Sequence, residues 1–325
     1  ASSSREAHVT LTTQARRAME LAGDLPTGLS PPELRTMYAA QRARLQPPRP
    51  DVARVEDLSI PGRDGPVPAR LYLPRDDGAP RPLMVYLHGG GWVVGSVEGY
   101  DTTCRRLALK ADCAVVSVEY RLAPEHPFPA ALHDAWDATS WCAREAARLG
   151  GDADRLVVAG DSAGGTLAAV VALMARDAGA PAIALQVLVY PVVDLVRETG
   201  SHVRNAQGFM LTTAALRWFY DCYVPDRAMR ADWRASPLLC PTLRGVAPAL
   251  VVAAEHDPLV DEDAAYAERL RAEGVAVEYA CFEGMLHPFF TLGGVIDDAA
   301  RAEDMVAAAV ARLRPRCPPG PCAGR

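Results

Sequence analysis

The residues best suited to chemistry in this chain lie in the segment Gly160-Asp-Ser-Ala-Gly-Gly165. A short apolar run, 156–159, precedes it, and a long Ala/Leu/Val segment without proline follows it. This order predicts a strand, a tight turn and a helix, with Ser162 at the turn. Such a turn exposes the serine as a nucleophile, and the first helical amide, that of Ala163, faces the carbonyl oxygen under attack.

A serine hydroxyl is a weak nucleophile, so it needs a base, and the base needs a carboxylate that holds its tautomer. In folds that present serine on such a turn, the acid and then the histidine follow it along the chain. Of the seven histidines, His88 and His126 precede the serine, and His202 and His256 follow it but do not lie on a loop after the last predicted strand. His287 follows the last predicted strand and such a loop, and is therefore the predicted base.

The acid is less constrained by spacing. Asp257 and Glu255 share one loop, Asp194 follows the preceding strand, and Asp261 opens the next helix. Asp257 is favoured, because Glu255 would lie on or beside the strand and Asp261 would cap the helix. Asp161, next to the serine, is expected to point away and to bond to the backbone.

A second glycine-rich turn, His88-Gly-Gly-Gly-Trp92, follows the apolar run 83–87. Three glycines leave the backbone bare, so that its N–H groups can approach a ligand closely. A flexible loop would also explain them. The position after an apolar strand favours a donor loop, since an oxyanion needs donors that converge from different loops.

The remaining elements predict the scaffold. From residue 83 onward, apolar strands alternate with helical segments, which predicts an α/β fold with a mostly parallel sheet flanked by helices on both faces. Two alternating runs, 52–60 and 67–73, are joined by a Pro-Gly-containing turn and predict antiparallel strands that open the sheet.

The expected organisation has three parts. Residues 1–48 form N-terminal cap helices, residues 49–314 form the catalytic domain, and residues 315–325 form a flexible tail that contains Cys317 and Cys322. Residues 192–235 interrupt the strand–helix alternation and contain a helix, 213–223, that is rich in aromatic residues. Because this insertion follows a strand at its C-terminal end, we expect it to cover the Ser162 edge as a cap, although a core helix would have the same pattern.

Composition excludes several classes of function. The net charge of −6 with interspersed charges argues against nucleic-acid binding. Lys110 is the only lysine, so no Gly-Lys-Ser/Thr phosphate loop exists. No cysteine pair has zinc spacing with a histidine partner, so we predict no metal and no cofactor. Six scattered cysteines are expected to behave as small hydrophobes.

Targeting signals are not evident. The N-terminal residues lack a basic start followed by an apolar block, and no apolar run is long enough to span a membrane. We therefore expect a cytoplasmic protein without a membrane partner.

Five segments together resemble the hormone-sensitive-lipase-like group of α/β-hydrolases, the bacterial family IV esterases. They are, in order, His88-Gly-Gly-Gly-Trp92, Tyr120-Arg-Leu-Ala-Pro-Glu-His-Pro-Phe-Pro-Ala130, Gly160-Asp-Ser-Ala-Gly-Gly165, Asp257-Pro-Leu-Val-Asp-Glu262 and Gly284-Met-Leu-His287. The resemblance covers about residues 50–313. It implies an α/β-hydrolase fold with a helical cap, and it departs from the family at Pro288, where glycine is usual.

The resemblance also implies roles for individual residues. Ser162, Asp257 and His287 would be the catalytic triad. Gly90, Gly91 and the Ala163 amide would form the oxyanion hole, with Gly89 shaping the turn.

The predicted function is a serine carboxylesterase that hydrolyses small esters through an acyl-enzyme, and the resemblance implies short acyl chains. The alternatives are an amidase or a non-hydrolytic lyase on the same scaffold, or a non-catalytic small-molecule receptor. A homodimer through the last strand and helix is plausible by resemblance alone. Five aromatic side chains are candidates for the substrate pocket, each of which could equally be ordinary core: Trp92, Tyr190, Phe209, Trp218 and Phe289.

Overall fold

A computed structural model describes residues 11–23 and 28–314. The predicted tail with Cys317 and Cys322 lies outside these residues. Eight strands form one sheet: β1 (Arg54–Gly62), β2 (Gly65–Leu73), β3 (Arg81–Leu87), β4 (Ala114–Val118), β5 (Gly151–Asp161), β6 (Ile183–Val189), β7 (Ala249–His256) and β8 (Val277–Leu286).

The strand order across the sheet is β1-β2-β4-β3-β5-β6-β7-β8. β2 pairs antiparallel with both β1 and β4, and all the other neighbours pair parallel. The predicted α/β class and the antiparallel opening pair are therefore confirmed. In this arrangement the parallel strands β3–β8 all end at the same edge of the sheet, which brings the loops after them together.

The described α-helices are α1 (Thr13–Ala22), α2 (Pro31–Leu45), α3 (Asp101–Ala111), α4 (Ala130–Arg144), α5 (Ala163–Ala178), α6 (Gly200–Arg204), α7 (Thr213–Tyr223), α8 (Val260–Ala272) and α9 (Asp298–Ala311). α4, α5 and α8 pack on one face of the sheet, and α1, α3 and α9 on the other. Each face has its own apolar core, as expected for a parallel sheet that is covered on both sides.

The sequence pattern predicts a helix over 131–149 and a strand over 275–282, and the structure differs from both. α4 ends at Arg144 rather than near Leu149, because the chain then turns back to enter β5, and Gly151 N–H donates to Ala146 O at 2.7 Å. β8 continues to Leu286 rather than ending at Phe282. Gly284 has φ of +68° within this strand, and its N–H donates to Glu255 Oε2 at 2.7 Å, which holds the irregular strand end against β7.

The cysteine expectation needs one correction. Cys104, Cys113, Cys142 and Cys240 are buried and Cys222 is half-buried, but Cys281 is exposed. Cys281 lies on β8, which is an edge strand, and this position leaves one side of its backbone without a neighbouring strand.

Helix α2 attaches to the sheet edge through a polar anchor. Arg35 Nε donates to Val93 O at 2.8 Å, and its Nη2 donates to Ala123 O at 3.0 Å and pairs with Glu125 at 2.6 Å. These acceptors lie in the loops after β3 and β4, so α2 lies above the edge at which the strands end.

Candidate active site

Ser162 lies between β5 and α5 in a strained turn. Its φ and ψ are 54° and −122°, an unusual conformation for a residue with a side chain, and its N–H donates to Val189 O at 2.8 Å. A Cβ on Gly164 would lie 1.9 Å from Leu87 O, and one on Gly160 would lie 2.4 Å from the Gly164 carbonyl carbon. Only glycine fits at both positions, so the turn can place the serine hydroxyl at the sheet edge.

Ser162, His287 and Asp257 form one hydrogen-bonded chain. His287 Nε2 lies 2.9 Å from Ser162 Oγ, and His287 Nδ1 lies 2.5 Å from Asp257 Oδ2. Asp257 is fully buried and His287 is 7% exposed. An ionised Asp257 can only accept, so Nδ1 carries the proton and Nε2 is left to accept the serine proton. Asp257 Oδ1 also accepts the Leu259 N–H at 2.9 Å, which fixes the carboxylate.

The other three candidate acids have different partners. Glu255 lies on β7 and accepts from Gly284 N–H. Asp261 accepts from Ser201 N–H at 2.8 Å and pairs with Arg204. Asp194 pairs with Arg197 at 2.6 Å. None of these carboxylates contacts His287 in the described part of the chain.

Pro288 does not disturb the position of His287. It has φ of −85° and precedes a short 3-10 turn, Phe289–Thr291, in which Thr291 N–H donates to Pro288 O at 3.1 Å. At the start of a helical turn a backbone N–H has no carbonyl partner within the turn. Proline, which lacks this N–H, therefore costs no hydrogen bond here.

The loop after β3 presents its backbone to Ser162. Gly90 and Gly91 have φ of 124° and 58°, and Gly90 O accepts from the N–H groups of Val93 and Val94. Among residues 11–23 and 28–314, no acceptor engages the N–H groups of Gly90, Gly91 or Ala163. These three donors are therefore free for an oxyanion at this edge.

Asp161 connects the two glycine-rich turns. Its Oδ1 accepts from Gly89 N–H at 3.0 Å and Tyr86 OH at 2.8 Å, and its Oδ2 accepts from Tyr100 OH at 2.8 Å. The bond to the backbone agrees with the expectation from sequence, whereas the two tyrosine partners were not expected. Burial raises the pKa of Asp161. The positive charge of Arg42 and the hydrogen bonds from Tyr86 and Tyr100 act in the opposite direction and lower this pKa. Because Gly89 N–H is used here, it is not an oxyanion donor.

A cavity of about 100 Å³ opens at Ser162 and His287. Its walls come from the loop after β3 (residues 89–92, which we call the oxyanion loop), helix α2, the segment after β6 and helix α7. The residues that line it outside the catalytic loops include Leu34, Tyr38, Gln41, Arg42, Leu45, Tyr190, Val192, Met210, Leu211, Leu216, Phe219, Tyr220 and Leu292.

The structure brings two of the five candidate pocket aromatics to this cavity, Trp92 and Tyr190. It places the other three elsewhere. Phe209 stacks on His256 with ring centroids 5.1 Å apart, Phe289 packs behind Tyr190, and Trp218 is 37% exposed. On α7 the side chains that reach the cavity are Leu216, Phe219 and Tyr220, because Trp218 points away from the cavity.

The prediction of N-terminal cap helices did not name the side chains of α2 that line the cavity. These residues, Leu34, Tyr38, Gln41 and Leu45, recur at spacings of three and four, which marks one helical face. The spacing identifies the face, but which of its side chains reach the cavity depends on tertiary packing.

His88, next to the oxyanion loop, is a buried neutral histidine. Burial lowers its pKa to about 4, and its ring stacks on Tyr120 with centroids 4.3 Å apart. Its Nδ1 lies 2.9 Å from Gly89 O. His88 therefore supports the loop and does not serve as a base.

In the ranges 11–23 and 28–314, no three His, Cys, Asp or Glu side chains are grouped so that they could hold a metal ion. No helix in these ranges has the length and apolarity needed to cross a bilayer.

The pattern of the alpha/beta hydrolase fold family matches residues 84–291. The chain is 44% identical over 268 residues to the carboxylic ester hydrolase LipN of Mycobacterium tuberculosis, covering 80% of this chain and 70% of that protein. It is also 44% identical over 262 residues to the ethyl acetate hydrolase of Pseudomonas putida, covering 79% and 82%.

Solved structures agree with these relatives. An esterase of Pyrobaculum calidifontis superimposes with a TM-score of 0.86 at 40% identity, over 92% of this chain and 98% of that one. EstE1, a carboxylesterase cloned from a metagenomic library, superimposes with a TM-score of 0.86 at 42% identity, over 90% and 100%. The resemblance inferred from the five motifs is confirmed, and the chain belongs to the hormone-sensitive-lipase-like carboxylic ester hydrolases of the α/β-hydrolase superfamily.

Proposed function

We propose that this chain is a serine carboxylesterase in which Ser162, His287 and Asp257 act as the catalytic triad. The observation that carries the proposal is the hydrogen-bonded chain from Ser162 Oγ through the imidazole to Asp257. It lies beside three free backbone donors, which is the arrangement that ester hydrolysis through an acyl-enzyme requires.

In the acylation step, Ser162 Oγ attacks the ester carbonyl carbon while its proton passes to His287 Nε2. The oxyanion that forms accepts hydrogen bonds from the Gly90, Gly91 and Ala163 N–H groups. Asp257 stabilises the imidazolium. His287 then gives the proton to the departing alkoxide, so that the alcohol leaves and the acyl group stays on Ser162.

Water completes the cycle. His287 Nε2 takes a proton from the water, and the resulting hydroxide attacks the acyl carbonyl, again with its oxyanion held by the same donors. The collapse of this intermediate returns the proton from His287 to Ser162 Oγ and releases the carboxylic acid. Atoms balance as one ester and one water giving one acid and one alcohol.

Short acyl groups fit the cavity best. Its volume of about 100 Å³ is smaller than the roughly 150 Å³ apolar cavity that takes up benzene. Phe219 and Leu216 of α7 and Leu34 of α2 close its walls, so we propose that these two helices act as the cap. A relative named ethyl acetate hydrolase supports the same size class.

The test is hydrolysis of p-nitrophenyl acetate, butyrate, octanoate and dodecanoate by the wild type and by Ser162→Ala. We expect turnover of acetate and butyrate, weak turnover of the longer esters, and loss of kcat by about 10⁴-fold or more in the variant. Asp194→Asn is the control for expression and folding.

Each contrary outcome has a definite meaning. A wild type that hydrolyses none of these esters but binds them favours the receptor. Turnover of the matched p-nitroanilides faster than the esters favours an amidase. Full activity in Ser162→Ala removes the nucleophile assignment.

We also propose a homodimer through β8, whose outer backbone edge faces no other strand among the residues that the structure describes. The molar mass in solution, measured by light scattering, tests it, because a dimer has twice the chain mass of 34.8 kDa.

A further inference from the structure

Arg42 is a buried charge that the proposed mechanism does not use. It lies on α2, forms part of the cavity wall and is 4% exposed. Its Nε donates to Gly99 O at 3.1 Å, while its Nη2 has no hydrogen-bond partner among the described residues. A buried charge without a partner is unfavourable, so an interaction that compensates for it is needed.

Tyr100 supplies that interaction. The Arg42 guanidinium carbon lies 3.7 Å from the centroid of the Tyr100 ring, a close cation–π stack. The hydroxyl of the same ring donates to Asp161 Oδ2 at 2.8 Å. The cation therefore lies on a ring whose far end is bonded to a buried carboxylate.

Asp161 in turn joins two parts of the site. It directly precedes Ser162, and it accepts from the N–H of Gly89, which directly precedes the oxyanion donor Gly90. The contact is tight, since a Cβ on Gly89 would lie 2.4 Å from Asp161 Oδ2. The carboxylate therefore sets how far the oxyanion loop stands from the nucleophile.

The charges around Asp161 decide whether it stays ionised. Burial raises its pKa, and the first influence that lowers it is Arg42, followed by the Tyr86 and Tyr100 hydroxyls and His287. His88 brings no compensating charge near neutral pH, because its own pKa is lowered to about 4. The other titratable side chains on which the Asp161 charge acts are neutral and have raised pKa values: Cys104, Tyr120 and Tyr190.

We infer that Arg42 is a positioning residue for the oxyanion hole: acting through Tyr100 from the N-terminal helix, its charge keeps Asp161 ionised and so holds Gly89 and the two glycines after it in place. This inference rests on the proposed esterase function. It also means that α2, besides covering the cavity, sets the geometry of the donor loop.

The first test is the pH dependence of kcat in Arg42→Met, which removes the charge and keeps a long apolar stem. Without Arg42 the pKa of Asp161 rises further, so Asp161 takes up a proton as the pH falls and loses part of its capacity to accept hydrogen bonds. We expect kcat to be about tenfold lower at pH 7, with KM less affected. The acid limb of the pH profile should move up by about one unit or more.

Two variants serve as comparisons. Arg42→Lys keeps a positive charge and should bring the acid limb back toward the wild-type position. Arg44→Met removes an exposed arginine from the same helix and should leave kcat, KM and the pH profile unchanged. Equal loss of kcat at every pH in Arg42→Met, without recovery in Arg42→Lys, would mean that Arg42 only packs α2, and would overturn the inference.

A second measurement does not need turnover. The NMR amide shift of Gly89 reports its hydrogen bond to Asp161, so we expect it to titrate at a higher pH in Arg42→Met than in the wild type. Arg42→Gln, a milder change that also removes the charge, should shift the titration in the same direction and replaces Arg42→Met if that variant does not fold. Identical titrations in all three proteins contradict the inference. If the wild type has no esterase activity, the proposed function is wrong. The Gly89 amide titration can still be measured in that case, and it tests this inference separately.

Discussion

Asp257 is the residue whose contribution can be separated most cleanly from that of its neighbours. Its carboxylate accepts a hydrogen bond from His287 Nδ1–H and so holds the tautomer that leaves Nε2 facing Ser162. Asp257→Asn preserves the shape but favours the wrong tautomer. We expect kcat for p-nitrophenyl acetate to fall by about 10⁴-fold, as for the same change in other triads.

The controls for Asp257→Asn are the three acids that the sequence alone left open. Glu255→Gln, Asp194→Asn and Asp261→Asn alter carboxylates that have partners other than His287. Each should keep kcat within about threefold of the wild type, because surface or local hydrogen bonds contribute little to the reaction. A loss in Glu255→Gln as large as that in Asp257→Asn would reassign the acid.

Gly164 is a residue whose constraint is steric. Its added Cβ would lie 1.9 Å from Leu87 O, a rigid backbone atom, whereas a Cβ on Gly165 would lie 3.0 Å from the Pro191 side chain. Gly164→Ala should therefore lower the free energy of unfolding by about 3 kcal/mol or more, and Gly165→Ala by clearly less. Urea unfolding of both variants measures the difference, and equal losses would contradict the steric account.

At the scale of the elements, local sequence predicted those helices and strands whose pattern is strong. The sequence pattern predicts helices over 101–111 and 213–223 and a strand over 114–118, and the bounds of α3, α7 and β4 agree with it, since each segment has sharp sequence boundaries. The end of β8 could not be predicted, because the strand continues past Gly284 through contacts with β7: Gly284 N–H donates to Glu255, and Leu286 pairs with His256. Which side chains of α7 reach the cavity also depends on tertiary packing. The aromatic pattern alone favours Trp218, whereas the structure brings Phe219 to the cavity wall.

Helix α7 sets the size of the acyl group that the cavity can hold. Phe219 lines the cavity and packs on the oxyanion loop, where a Cβ on Gly91 would lie 2.3 Å from its ring. Phe219→Ala should enlarge the cavity and raise the ratio of kcat/KM for octanoate over acetate by about tenfold. The matched control is Trp218→Ala, next to it on the exposed side, which should leave the ratio unchanged.

At the scale of the whole molecule, strand–helix alternation predicted the α/β class and the edge at which Ser162 meets its partners. The strand order did not follow from the sequence. β4 lies between β2 and β3, so chain neighbours are not always sheet neighbours. The network that joins Arg42, Tyr100 and Asp161 was equally hidden, because these residues come from three separate segments that only the complete fold brings together.

The fold as a whole should lose stability in acid partly through His88. Its folded pKa of about 4 lies below the unfolded value of about 6.5, so the folded state favours the neutral ring. This contribution to the free energy of unfolding is fully present above about pH 6.5 and is lost as the pH falls toward 4. About 2 kcal/mol of the contribution is lost by pH 5. In His88→Asn this position cannot titrate. The loss in free energy of unfolding between pH 7 and pH 5 should therefore be about 2 kcal/mol smaller in this variant than in the wild type.

Urea titrations at the two pH values measure this difference, with His126→Asn, a change at an exposed histidine, as the control. Equal pH dependence in His88→Asn and the wild type would show that the buried ring does not contribute to acid unfolding.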